Sequence, residues 1–123
     1  MPPLMKLTAI TLDCADPLGL AAFYQQATGL EPHPKSDAEF AGVTCEDGLF
    51  IGFQRVDGYR APRWPGQEVP QQLHLCFAVA DLDEAEAELL ALGAGRPDDQ
   101  PDEAGWRVLT DPAGHPFCVV VKS

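Results

Sequence analysis

Apolar and polar positions along this chain follow two periods in turn, and they do so twice. From Leu4 to Asp13 they alternate, putting Ile10, Leu12 and Cys14 on one side and Ala9, Thr11 and Asp13 on the other, the signature of a strand with one covered face. The spacing then becomes helical, with Leu20, Phe23, Tyr24 and Ala27 recurring. Asp16 stands where an N-cap carboxylate belongs, Pro17 suits a first turn whose N–H would be unpaired anyway, and Gly29 suits a left-handed C-cap. Short apolar runs at 30–34, 40–45 and 49–56 predict three further strands, the last two turned by Asp47-Gly48.

The same order then returns. Leu75, Phe77 and Val79 alternate with His74, Cys76 and Ala78; Asp81 and Glu84 have the spacing of a capping box; Leu82, Ala85, Leu89 and Leu92 form a stripe that stops at Gly93. Strands are predicted near 95–98 and over 105–110 and 116–122, with Asp111-Pro112-Ala113-Gly114 turning the last two. The interval between copies is 65 residues from Asp16 to Asp81 and 64 from Gly29 to Gly93. An internal duplication follows: one domain, 1–123, made of β-α-β-β-β modules 1–66 and 67–123. The stretch 57–71 holds three prolines and two glycines and has no period, so it reads as the connecting loop.

Composition narrows the function. With 123 residues and 46% apolar content the chain can bury one proper core. No apolar run approaches the roughly 20 residues that cross a bilayer, and no signal segment opens the chain, so a soluble cytoplasmic protein with no membrane partner is expected. A net charge of −11 argues against nucleic acid, whose phosphates need a basic surface. The excess is concentrated late, where Asp83, Glu84, Glu86 and Glu88 read as a solvated helix face. Cys14, Cys45, Cys76 and Cys118 form no CxxC pair and are expected to be free thiols behaving as small hydrophobes.

With both modules in view, CADPLGLAAFYQQATGL in the first, and HLCFAVADLDEAEAELLALGA and DPAGHPF in the second, resemble the vicinal-oxygen-chelate superfamily of glyoxalases, bleomycin-resistance proteins and extradiol dioxygenases. FQRV, the WPG loop and PQQLHL are similar to a small bacterial glyoxalase-like group. The resemblance implies an α+β fold in which two βαβββ modules form a curved mixed sheet with a central cavity, commonly completed by a second subunit, so a homodimer is expected. It also implies a divalent metal held by His or Gln and Glu from the first and fourth strands of each module, acting as a Lewis acid on two neighbouring substrate oxygens.

Position by position the chain departs from that set. Ala9 occupies the first-strand place in module one where module two has His74, Cys118 stands where the family often has Glu, and LFIGFQRV offers only Gln54 as a useful oxygen. One imidazole is a poor match for Mg, Mn, Fe or Ni. The expectation is therefore no metal and no other cofactor. A zinc set of His74, Cys76 and Cys118 is conceivable because Cys76 shares the His74 face, but nothing in the spacing requires it.

The pocket is expected to be lined by His74, Cys76, Thr11, Asp13, Gln54, Cys118, Trp64 and Trp106. His74 brings an imidazole suited to hydrogen bonding or proton transfer, Asp13 a carboxylate on the Ala9 face, and the tryptophans apolar surface from the loop and from the start of a strand. His115 reads as a turn residue, and Arg60 and Arg63 could contribute to an anion site. The function read from this is a glyoxalase-like small-molecule-binding protein without the usual metal site. Two alternatives stay open: a metal-dependent lyase, isomerase or dioxygenase with a divergent site around His74, and a resistance protein that sequesters a bleomycin-type drug.

Overall fold

The structure, a computed structural model, describes residues 3–101 and 105–121. These residues form two compact units, Met1–Tyr59 and Arg60–Ser123, so the division falls inside the expected connecting stretch. Each unit carries its own mixed sheet and one helix, which gives the α+β architecture that the two periods predict.

In the first unit, strands β1 (Ala9–Cys14), β2 (Glu31–Pro32), β3 (Phe40–Thr44) and β4 (Phe50–Arg55) lie in the order β1-β4-β3-β2, with β1 parallel to β4 and β3 antiparallel to both of its neighbours. Helix α1 (Pro17–Thr28) starts where Asp16 accepts from the Gly19 N–H at 3.1 Å and stops at Gly29, whose φ of 74° is left-handed. It buries Leu20, Ala21, Phe23 and Tyr24 against Leu12, Cys14, Val43, Ile51 and Phe53, with Tyr24 stacked on Phe53 at 5.4 Å between ring centroids. The covered and open faces of β1 are those the alternation predicts: Leu12 and Cys14 are buried, and Ala9, Thr11 and Asp13 are exposed. The strand is shorter than expected: the Thr8 carbonyl still accepts from the Phe50 N–H at 3.0 Å, but residues 4–7 pair with no strand among the described residues.

On the open face, Gly42 and Gly52 are register partners, and the rings of Phe40 and Phe50 lie over them, stacked at 5.9 Å. A Cβ on Gly42 would sit 2.7 Å from the Ile51 carbonyl oxygen, and one on Gly52 would sit 2.6 Å from Phe40 Cζ. Both positions are glycine because the aromatic rings take the volume that side chains would need.

In the second unit, β5 (Leu75–Val79), β6 (Trp106–Thr110) and β7 (Pro116–Val121) form a sheet in the order β5-β7-β6, parallel across β5–β7 and antiparallel across β6–β7. The strand expected near 95–98 reduces to a single bridge, Gly95 to Thr110. Helix α2 (Leu82–Leu92) is capped by Asp81, which accepts from the Glu84 N–H at 2.9 Å, and closed by the left-handed Gly93. Its acidic face is only partly a solvated one. Arg107 of β6 reaches Asp83 at 2.8 Å and Glu86 at 3.6 Å, and Arg96 reaches Glu86 at 3.0 Å, so two of the four carboxylates tie the helix to the sheet while Glu84 and Glu88 remain exposed. Among the described residues no helix is long and apolar enough to cross a membrane.

Candidate functional site

The site grows out of strand register in the second unit. Parallel pairing sets Cys76 beside Cys118, and antiparallel pairing sets Val108 on the other side of Cys118. Because side chains alternate across a sheet, Trp106, Val108, Pro116, Cys118 and Cys76 all point to one face, while Arg107, Leu109, Phe117 and Val119 point to the other, where Arg107 meets α2. His74 immediately precedes β5 and lies on the Cys76 face. The connecting stretch supplies Trp64 and Gln71. Together His74, Trp64, Trp106, Gln71, Val108, Pro116 and Cys118 line an open cavity of about 160 Å³.

The turn before β7 holds one wall of this cavity in place. Asp111, only 3% exposed, accepts from the N–H groups of Ala113 at 2.9 Å and His115 at 3.0 Å, and Gly114 closes the turn at φ 90°. His115 therefore sits in the turn, as expected of it, and the chain enters β7 with Pro116 and Cys118 on the cavity side.

Two features give the cavity its chemistry. The first is a cluster of donors: the His74 imidazole and the Cys76 and Cys118 sulfurs offer atoms that all lie within 4.8 Å of one another. Burial, the adjacent Cys76 sulfur and a hydrogen bond to it push the Cys118 thiol up from 9.0 to about 11. All four cysteines are free, as expected, but Cys76 is exposed and does not behave as a buried hydrophobe, whereas Cys14 and Cys118 do. The second feature is Gln71 Oε1, a buried oxygen with no hydrogen-bond partner among the described residues. A buried acceptor left unpaired costs about 1–3 kcal/mol, so it marks a place where an incoming donor is favoured.

Of the eight expected lining residues, His74, Cys118, Trp64 and Trp106 meet at this cavity, and Cys76 joins the donor cluster beside it. Thr11, Asp13 and Gln54 lie together on the open face of the first unit, Asp13 paired with Gln54 and Thr11 with Gly52. Sequence reasoning missed Val108, Pro116 and Gln71. Alternation from Trp106 and Cys118 could have found the first two, but Gln71 lies in a loop without a period and carried no signal.

The duplication tests the family's metal set directly. Counting 65 residues from the second copy, His74 corresponds to Ala9 and Cys76 to Thr11; since Cys76 pairs with Cys118 as Thr11 pairs with Gly52, the place matching Cys118 is Gly52. Gln54, the oxygen expected from the fourth strand, stands two pairs further on, opposite Asp13. The first module thus offers no donor at either place, and the second offers an imidazole and a thiol. A hard cation that draws on imidazole and carboxylate does not fit these residues.

Comparison with known proteins places this architecture. Over 102 residues, 80% of the chain, it is 35% identical to CFP32, provisionally named a glyoxylase, from Mycobacterium bovis and Mycobacterium tuberculosis; the chain spans 37% of the length of those relatives. A glyoxalase/bleomycin resistance protein/dioxygenase family enzyme from Burkholderia phytofirmans shares the fold at a TM-score of 0.72 and 18% identity, covering 95% of this chain and 98% of that one. The fosfomycin resistance protein FosX from Listeria monocytogenes shares it at 0.71 and 21%, covering 98% and 94%. Residues 9–120 match the family described as the glyoxalase-like domain, and the chain belongs to that family.

Proposed function

We propose that this protein binds a small molecule in the cavity of its second unit, using apolar contact from Trp64 and Trp106 and polar contact from Gln71 and His74, without the imidazole and carboxylate metal set of the wider superfamily. The observation that carries this reading is the unpaired Gln71 Oε1 in a cavity walled by both tryptophans of the chain. Pockets for drug-sized ligands run to roughly 300–1,000 Å³, so about 160 Å³ suits a small metabolite or one group of a larger molecule. The ligand is expected to carry a hydrogen-bond donor for Gln71, and the acidic chain favours one that is neutral or cationic. In this reading the protein is a cytoplasmic homodimer, and Thr11, Asp13 and Gln54 line a ligand site as well.

A panel of small alcohols, amides and amines, followed by thermal unfolding, tests the proposal. A binder raises the melting temperature in a saturable way and loses its effect in Trp106→Ala, as mass action requires of a ligand that prefers the native state. Absence of any stabilising compound, or stabilisation that survives Trp106→Ala and Gln71→Ala together, overturns it. Bleomycin belongs in the same assay: stabilisation by it would support drug sequestration, and none is expected from a cavity this small.

A further inference from the structure

We infer that His74, Cys76 and Cys118 form a zinc site, built wholly within the second unit and different in its donors from the metal set of the superfamily. The inference deepens the small-molecule reading, because the ion would stand in the wall of the same cavity. Its ground is the register of β5 and β7, which no spacing along the chain reveals.

His74, just before β5, stands two residues from Cys76 in β5, and Cys118 is the direct partner of Cys76 on the next strand. Their donor atoms lie within 4.8 Å of one another, and among the described residues His74 has no hydrogen bond or ion pair that would hold it elsewhere. With Zn–S near 2.3 Å and Zn–N near 2.0–2.1 Å, tetrahedral coordination asks donors to stand roughly 3.5–3.8 Å apart, so donors already within 4.8 Å need only a small side-chain adjustment to meet one ion. Two thiolates and an imidazole are a soft to borderline set; they suit zinc and disfavour magnesium and manganese. Zinc also offers what the thiols lack when they are metal-free, since Cys118 stands 4% exposed against a second sulfur and metal binding would replace that contact with coordination to both.

Three protein donors leave the fourth tetrahedral position open, the arrangement of zinc that meets a water or ligand and not of zinc that only staples a fold. The cavity lined by Trp64, Trp106 and Gln71 is where that position is accessible. Gln71 Oε1, still without a donor, supplies an acceptor in the same cavity. In this arrangement the duplication has kept metal chemistry in one copy by exchanging donors, with sulfur in place of carboxylate.

The test uses the full chain, reduced with a phosphine and stripped with chelator, then titrated with Zn²⁺ alone and with Co²⁺ as a coloured substitute. The expected result is one equivalent of metal per chain, an intense sulfur-to-cobalt charge-transfer absorption, release of protons on binding, and affinity unaffected by a large excess of Mg²⁺. Cys76→Ser and Cys118→Ser should each weaken binding at least tenfold and remove most of the charge-transfer band, His74→Ala should weaken it while leaving the band, and Cys45→Ser should change nothing. Stoichiometry far below one, or binding that persists in the Cys76→Ser/Cys118→Ser double variant, overturns the site. Circular dichroism of each metal-free variant confirms that it is folded. Because no organic ligand enters the titration, its failure leaves the small-molecule reading standing. Ligand stabilisation repeated in chelator shows whether that reading fails separately.

Discussion

Cys76 and Cys118 are direct partners across two parallel strands, their thiols in hydrogen-bond contact, although a helix and an antiparallel strand intervene between them in the chain. One of the two is exposed and the other buried, so a single pair presents one reachable sulfur and one sheltered sulfur on the same face.

That asymmetry sets a pH dependence. Folding raises the Cys118 thiol from 9.0 to about 11 through burial and the neighbouring sulfur, so the folded state favours the protonated form. The stability this contributes is complete below pH 9 and is lost as pH rises through about 11. In chelator-treated protein the melting temperature should fall across that window, and Cys118→Ala should fall less over the same range. Iodoacetamide on the folded, metal-free protein should label Cys76 well before Cys118; equal rates at the two sites would contradict the burial of Cys118.

Both tryptophans of the chain line the cavity, which makes intrinsic emission a reporter of that one place. Any compound that stabilises the protein through the cavity should shift or quench emission with the same midpoint. Trp64→Phe and Trp106→Phe should each keep part of the signal. Stabilisation that leaves the spectrum untouched would put binding elsewhere.

The Asp111 turn should be the most sensitive polar feature of the second unit. Asp111→Ala removes the carboxylate that accepts from the Ala113 and His115 N–H groups, at a cost of roughly 1–3 kcal/mol read from urea unfolding. Asp111→Asn retains an acceptor oxygen and should lose less. An alanine variant as stable as the parent would mean that the turn is held by other contacts.

At the helix starts the effects should be smaller and local. Asp81→Ala removes the acceptor for the Glu84 N–H and should cost about 1 kcal/mol, while Asp81→Ser should restore most of it. The urea midpoint should move without a change in slope.

What the chain discloses by itself follows from how far each feature reaches. Alternation and caps are local, so the helices, their Asp and Gly ends, the open face of β1 and the His74–Cys76 face could all be read directly. Strand ends could not, because a residue such as Leu4 or Asp98 joins a sheet only if a distant partner is present, and neither finds one. Register is also non-local. It made Gly52, not the oxygen-bearing Gln54, the place that matches Cys118, and it brought Cys76 against Cys118. Gln71 was invisible for a third reason: a residue in an aperiodic loop has no neighbour pattern from which its direction could be inferred.

The glycine at position 52 makes the difference between the two copies hard to reverse. A side chain placed there would collide with the rings of Phe40 and Phe50, which already fill the space over the Gly42–Gly52 pair. A glutamate there would give the first copy a donor only if both rings swing aside, since its Cβ would stand 2.6 Å from Phe40 Cζ and 2.9 Å from Phe50 Cε2. A single substitution toward a donor thus meets a steric cost on one side of the duplication. On the other side the matching place already carries the Cys118 sulfur.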